Sequence, residues 1–365
     1  MTKRVVLVLA TSTGGVGNHV RSLARGLTAA GHEVTVCGPG DTQPRFDFTG
    51  TGARFEPVEI AAGPDPVRTA FALVRLCRVL RGTGVSVVHA HGMRAGLVAG
   101  LARPRTVPLV VTWHNLMLDG GLKGRVYGLL ERVVARTADL TLCASSDLAG
   151  RVLLLGGRDV RFGPVAAPVL SPPTRDRERV RAELGVSDER PVLLSVARLN
   201  PQKSLDVLIH AARRWRDRDP VPLVLIAGSG PSEADLRRLV AATGAPVRLL
   251  GHRTDVADLI EACDVAVVTS RWEARQLFAQ EALSAGRPLV ATAVGGIPEL
   301  VGDAAVLVPP GDVDGLGAAV AKLLDEPSER ADLADRGRAR STVWPTEQDT
   351  VDQVVAVYRE LTGRA

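Results

Sequence analysis

Val192-Leu193-Leu194-Ser195-Val196 runs directly into Ala197-Arg198-Leu199-Asn200-Pro201-Gln202-Lys203, and a helical pattern follows. A short aliphatic run, a polar turn and an amphipathic segment make the strand–turn–helix unit of a parallel sheet. The same unit recurs outward from it. Downstream strands are expected at Leu223–Ala227, Val247–Leu250, Val265–Thr269, Leu289–Ala291 and Ala305–Val308. Upstream, a first series falls at Arg4–Leu9, Glu33–Cys37, Val85–His89, Pro108–Thr112 and Asp139–Cys143. Strands this apolar, separated by helices, belong to sheets covered on both faces. The fold class is therefore α/β, with two doubly wound, Rossmann-like parallel-sheet domains expected to face a cleft.

Between the two series lies the stretch 163–173, with four prolines and no periodicity, which marks the linker. Domains are expected at 1–168 and 169–344. Residues 345–365 form a terminal helix packing back toward the first domain, with Val351, Val354, Val355 and Tyr358 on one face. A length of 365 residues suits about two domains, each able to bury its own core. Hydrophobic residues make up 45% of the chain and charged ones 23%, a globular composition. The apolar run Val5–Ala10 is too short for a membrane span and reads as a strand rather than a signal peptide. Cys37, Cys77, Cys143 and Cys263 lack metal-like or redox-like spacing, so buried thiols in a reducing cytoplasm are expected. Arginine outnumbers lysine 41 to 4, which points to a GC-rich genome.

The net charge of +5 is unevenly placed. Residues 1–170 carry 20 Lys/Arg against 11 Asp/Glu, and the remainder 25 against 29. The first half should therefore prefer anionic partners. Nucleic acid is excluded as a partner, because 12 aromatic residues in the whole chain supply few stacking platforms.

Open parallel sheets bind ligands beyond the carboxyl ends of their strands, so the loops there are the candidates. After the first strand, Gly14, Gly15 and Gly17 precede a helix, an arrangement that lets amides approach a phosphate or simply makes a tight turn. A dinucleotide fingerprint is not completed: Val20 stands where a third glycine or alanine belongs, and the second strand ends in Cys37-Gly38-Pro39 without an acid for a ribose. In the second half, Arg198 and Lys203 put two cations at the mouth of the sheet. Lys203 sits near a helix start, where the dipole disfavours it and a bound anion would remove the conflict. Glu273 lies in the loop after 265–269 and Glu281 on the next helix, so two carboxylates are offered to one cleft.

Taken in order, these motifs resemble the family 4 retaining glycosyltransferases of GT-B fold. The resemblance rests on the Gly-Gly-x-Gly loop, His89-Ala90-His91, the Arg198/Lys203 spacing, Glu273-x7-Glu281 and the run Ala291–Glu299 with its Gly295-Gly296 pair. The lysine-glycine signature of bacterial glycogen synthases is missing from the first loop, which reads Ser12-Thr13-Gly14-Gly15.

The resemblance implies transfer of a hexose-type sugar from a nucleotide diphosphate sugar, with retention and without a metal or other cofactor. Arg198 and Lys203 would neutralise the departing diphosphate, Glu273 would reach the donor sugar and Glu281 the ribose. His91 matches the family's histidine near the donor sugar, whereas His89 reads as a packing residue. His114 is open between the acceptor side and packing. Gly251 and Arg253 belong to the loop expected to meet the base, with UDP and GDP both open. Where relatives have Glu-Gly-Phe-Gly this chain has Glu273-Ala274-Arg275-Gln276; Arg275 either adds a third cation or points to solvent. No metal is expected, on the reading that no Asp-x-Asp cluster stands after a strand to hold one. A hydrolase built on the two carboxylates, an epimerase, and a catalytically inactive binding protein are the rival readings.

The acceptor is unidentified. On a helix over Val67–Arg81, Arg68, Arg75, Arg78 and Arg81 share an arc with Phe71 and Val74, and Arg125, Arg132 and Arg136 form a second basic stripe. Solvated helix faces are the plain reading; peripheral association with the inner face of a membrane and a lipid-linked or anionic acceptor are the sharper one.

Overall fold

The computed structural model describes the chain except for residues 1, 13, 62, 64, 83, 117–120, 164, 167–170 and 364–365, and except for the side chains of residues 122 and 123. It divides into two compact units, Met1–Pro168 with Pro345–Ala365, and Val169–Trp344. The stretch 163–173 falls partly outside the described residues.

The first unit holds strands β1 (Arg4–Leu9), β2 (Glu33–Gly38), β3 (Arg54–Pro57), β4 (Val87–His91), β5 (Leu109–Trp113), β6 (Leu140–Cys143) and β7 (Val160–Phe162). They form one parallel sheet in the order β3-β2-β1-β4-β5-β6-β7. Its helices are α1 (Gly15–Ala29), α2 (Thr42–Phe46), α3 (Pro66–Gly82), α4 (Met93–Ala102), α5 (Gly121–Thr137) and α6 (Ser146–Leu154). The edge strands β3 and β7 escape the sequence pattern because they are short and half exposed, with charged residues among them. The terminal helix, Glu347–Gly363, lies against α1 in this unit, with Val351, Val354, Val355 and Tyr358 buried. Gly26 makes room for it, since a Cβ there would come within 2.3 Å of Val351.

One strand is displaced from its expected place. β4 runs from Val87 to His91 rather than from Val85 to His89, with the Ser86 amide donating to the Arg4 carbonyl at its entry. His89 consequently lies in the middle of the strand, opposite Leu7, and His91 opposite Leu9. Residues two apart in a strand share a face. Both imidazoles therefore point the same way, and their rings stack at 4.4 Å.

The second unit opens with α7 (Arg177–Glu183), followed by β8 (Val192–Val196), α8 (Leu205–Ala212), β9 (Leu223–Ala227), α9 (Glu233–Thr243), β10 (Val247–Gly251) and α10 (Val256–Ala262). β11 (Val265–Val268), α11 (Leu277–Ser284), β12 (Leu289–Thr292), α12 (Ile297–Val301) and β13 (Val306–Val308) come next, then α13 (Val313–Asp325) and α14 (Pro327–Ser341); the terminal helix of the first unit is α15. The sheet is parallel in the order β10-β9-β8-β11-β12-β13. Leu194, Leu225 and Ala266 fill one face and Leu193, Val224 and Val265 the other, so the strands are apolar on both sides.

Candidate active site

In each sheet the strand order reverses once, between β1 and β4 in the first unit and between β8 and β11 in the second. Loops leaving adjacent strands in opposite directions open a crevice at such a point. The Gly14–Gly17 loop follows β1, His89 and His91 lie on β4, Arg198 and Lys203 follow β8 and Glu273 follows β11; His114, Gly251 with Arg253, and the Gly295-Gly296 pair sit at or beyond the ends of β5, β10 and β12.

In the second unit, β8 leads to Arg198, which is exposed, and to Lys203 at the end of a single 3-10 turn, Pro201–Lys203. Ser204 then adopts φ 43°, a left-handed conformation costly for a residue with a side chain, before α8 begins. Lys203 Nζ donates to Glu273 Oε1 at 2.5 Å, and Ser270 Oγ donates to the same oxygen at 2.6 Å. Lysine has three donors and only one is used by Glu273. The Glu273 loop is fixed from three sides. Gln202 Nε2 donates to the Trp272 carbonyl, the Arg271 amide to the Gln202 carbonyl, and the Gly296 amide to the Glu273 carbonyl. Gly295 has φ 52°, and a Cβ there would fall 2.1 Å from the Glu273 carbonyl oxygen. This contact explains why glycine stands at that position. Gly228 is constrained likewise, its would-be Cβ 1.9 Å from the Ala197 oxygen, so the turns after β8 and β9 lie backbone against backbone.

Glu281 is half buried on α11, and burial pushes its carboxyl above the usual carboxylate range. Among the described residues no cation pairs with it. Gly251 ends β10 with φ 71°. Arg253 is forked onto Asp255, with Nε 2.7 Å from Oδ1 and Nη2 2.5 Å from Oδ2, so its charge is already neutralised. Arg275 does not point to solvent: Nε and Nη2 are buried without a hydrogen-bond partner, and burial pulls its pKa down to about 10 against the opposing field of Glu299. Gln276 caps α11, its Oε1 accepting from the Ala279 amide at 2.7 Å.

Asp312-Val313-Asp314 does follow β13, which corrects the expectation that no such pair stands after a strand. Its carboxylates are occupied. Asp312 caps α13 by accepting from the Gly315 amide, and Asp314 pairs with Arg214.

In the first unit, Ser12 Oγ accepts from the Gly17 amide at 3.1 Å at the entry to α1. Gly14 has open space where a Cβ would sit and Gly15 opens the helix, whereas Gly17 is packed against Phe46, whose ring lies 2.2 Å from such a Cβ. Gly17 is thus required by packing. His89 is fully used, Nδ1 at 2.7 Å from the Tyr358 hydroxyl and Nε2 at 2.7 Å from Thr112 Oγ1. His91 Nδ1 meets His114 Nε2 at 3.2 Å, while its Nε2 is buried without a partner. His19, one turn into α1, completes the cluster with ring centroids 5.4 Å from His91 and 5.1 Å from His114. Burial lowers all four rings below the usual imidazole range, His19 to about 4 and His89 to about 3, so they are neutral at pH 7. Nitrogens of His19, His91 and His114 lie within 4.8 Å of one another, a set that neutral imidazoles could offer to a borderline divalent cation. Sequence reading passed over His19 and Ser270; their spacing from His91 and Glu273 is visible only in three dimensions.

Comparisons with known proteins identify the family and the fold. Residues 14–166 match the model of the glycosyl transferase 4-like domain, and residues 176–340 that of glycosyl transferases group 1. The chain is 31% identical to a glycogen synthase of Mycobacterium tuberculosis, over 93% of this chain and 90% of that protein. It is 29% identical to the MMP alpha-(1->4)-mannosyltransferase of Mycolicibacterium hassiacum, over 97% and 96%. Among solved structures, Anabaena Alr3699/HepE in complex with UDP-glucose superposes with a TM-score of 0.82 at 20% identity, over 98% of this chain and all of that one. The sucrose-phosphate synthase of Thermosynechococcus elongatus superposes with a TM-score of 0.80 at 21% identity, over the full length of both chains.

Proposed function

The chain belongs to the family 4 glycosyltransferases of GT-B fold, and from that premise we propose that it transfers a hexose from UDP- or GDP-sugar to an acceptor still to be identified, with retention and without a metal. The observation that carries this reading is the Lys203–Glu273–Ser270 contact at the point where the second sheet reverses. It supplies a fixed cation with two spare donors beside a carboxylate held by a hydroxyl. The diphosphate takes those donors and Arg198, which together replace a metal as counter-charge to the leaving group. Fixed charges of this kind act without reorganising as the bond breaks.

Glu273 and Glu281 receive the donor's hydroxyl groups, on the sugar and on the ribose respectively. Carboxylates suit vicinal diols because charge-assisted hydrogen bonds are roughly twice as strong as neutral ones. The unpartnered Nε2 of His91 is the nitrogen left for the sugar. Gly251 contributes backbone groups to the base, whereas Arg253, held by Asp255, contributes through its backbone only. The UDP and UDP-glucose complexes of HepE make uridine donors the first to test. In this reading the enzyme works in the cytoplasm; its four cysteines are free, and burial raises three of the thiols to about 12.

A screen of UDP- and GDP-sugars for thermal stabilisation, followed by release of nucleoside diphosphate with acceptor present, tests the proposal. A ligand at a hundred times its Kd adds about 2.7 kcal/mol to the folded state. Stabilisation without release of nucleoside diphosphate under any acceptor would favour the inactive binding protein instead.

A further inference from the structure

In the first unit the four crossovers from β3 to β4, β4 to β5, β5 to β6 and β6 to β7 all step the same way across the sheet. Right-handed crossovers then place α3, α4, α5 and α6 in one layer on one face. α3 packs on α4, α4 on α5 and α5 on α6, as that layer requires. The inner sides of these helices are covered, with Ala72, Leu76 and Leu80 of α3 buried.

The outer side is not what a solvated layer presents. On α3, Val67, Phe71 and Val74 are exposed at helical spacing, Phe71 by 72%. On α5, Val126, Leu129 and Val133 repeat the pattern, Leu129 by 60%, and Leu154 at the end of α6 is 89% exposed. Exposed arginines are interleaved with them: Arg68, Arg78 and Arg81 on α3, and Arg125, Arg132 and Arg136 on α5. Carboxylates are few and lie at the margins: Asp65, just ahead of α3, pairs with Arg68, Glu56 pairs with Arg75, and α6 carries Asp147. Pro66–Gly82 contains none, and the single one in Gly121–Thr137, Glu131, is buried and paired with Arg151. Lone exposed apolar side chains are ordinary, but two apolar rows set among cations on α3 and α5, the helices that flank α4 in one layer, are not.

We propose that this α3–α6 face docks on an anionic lipid bilayer, with Phe71 and Leu129 entering the headgroup boundary and the arginines contacting lipid phosphates. Charge complementarity selects this occupant. An isologous contact with a second copy would set arginine rows against themselves. A protein groove would favour a continuous apolar core from which charges are depleted, whereas here a charge follows every turn or two. Interfacial helices show this alternation. The +9 balance of residues 1–170 adds attraction toward the same surface. The inference stands apart from the donor reading, since it uses none of the residues assigned to donor or transfer.

The test is co-sedimentation of the full chain with vesicles of phosphatidylcholine alone and of phosphatidylcholine with phosphatidylglycerol, at low and high ionic strength. Binding is expected only to the anionic vesicles, and to fall as the screening length shrinks from about 10 Å at 0.1 M salt toward about 3 Å at 1 M. Each of Arg78→Gln and Arg132→Gln should weaken it about fivefold. Phe71→Ser with Leu129→Ser should abolish it while leaving thermal unfolding and nucleotide-sugar stabilisation as in the parent. Equal binding to both vesicle types, or none to either, overturns the proposal. So does concentration-dependent self-association that Phe71→Ser removes in the absence of lipid.

Discussion

Acidification from pH 8 to pH 5 should selectively destabilise the first unit, because it buries four imidazoles in the neutral form. In the unfolded chain each binds a proton with a pKa near 6.5; in the folded chain His19 does so only near 4 and His89 near 3. The folded pKa values are depressed and the group is a base, so below about pH 6.5 the unfolded state holds more protons. Stability is complete above pH 7 and is lost as pH falls from 6.5 toward the folded values. At pH 5 the loss is about 2 kcal/mol for each of these two rings, with one pKa unit worth 1.36 kcal/mol. Together they remove about 4 kcal/mol, a large share of the 5–15 kcal/mol that holds a typical domain. His91 and His114 are displaced the same way and add to it.

The second unit lacks this liability. Its half-buried Glu281 is shifted upward, and acid relieves rather than creates the cost of that group. Trp113 is the tryptophan of the first unit, while Trp215, Trp272 and Trp344 lie in the second. Fluorine NMR of 5-fluorotryptophan protein in urea therefore reads the two transitions separately. With a urea slope of about 2 kcal/mol/M, the Trp113 midpoint should fall by about 2 M between pH 8 and pH 5. His19→Gln should recover about 1 M of that shift. A Trp113 midpoint that moves no more than the other three would refute the reasoning, since it would mean that these rings accept protons in the folded state. The same neutrality predicts that the pH–rate profile shows no histidine ionisation near 6.5.

Glu273→Gln should lower kcat about a hundred- to a thousandfold with little change in donor affinity, and Glu281→Ala should mainly raise the donor Kd; steady-state turnover and isothermal titration separate the two. Gly295→Ala drives a Cβ into the Glu273 carbonyl oxygen and should cost about a hundredfold in turnover through misplacement of the carboxylate, measurable with circular dichroism unchanged. Activity should persist in excess EDTA, because Arg198 and Lys203 provide the counter-charge; complete loss restored by added divalent metal would overturn this, and would direct attention to His19, His91 and His114.

Strands of continuous aliphatic residues were legible because a parallel sheet buries both faces: Arg4–Leu9, Val192–Val196 and Leu223–Ala227 have the expected bounds. The edge strands β3 and β7 were not, since a half-exposed edge tolerates Arg54, Glu56 and Arg161 and the apolar signal vanishes. Within the site, residue types were legible and partners were not. Glu273 and Lys203 stand 70 residues apart, and Ser270 becomes a ligand of Glu273 only because the loop folds back through the Gly295–Gly296 contact. The histidines make the point most sharply. Placing the strand end at His89 separates it from His91, yet a shift of two residues brings His89, His91, His114 and His19 into one cluster. The cluster is assembled from α1, β4 and the residue after β5, which the parallel register of β1, β4 and β5 brings together. Local pattern therefore identifies which residues carry chemistry, while non-local hydrogen bonds decide which of them meet. For this reason the pH response of the first unit, which depends on the meeting rather than on any single histidine, follows from the structure and not from the composition.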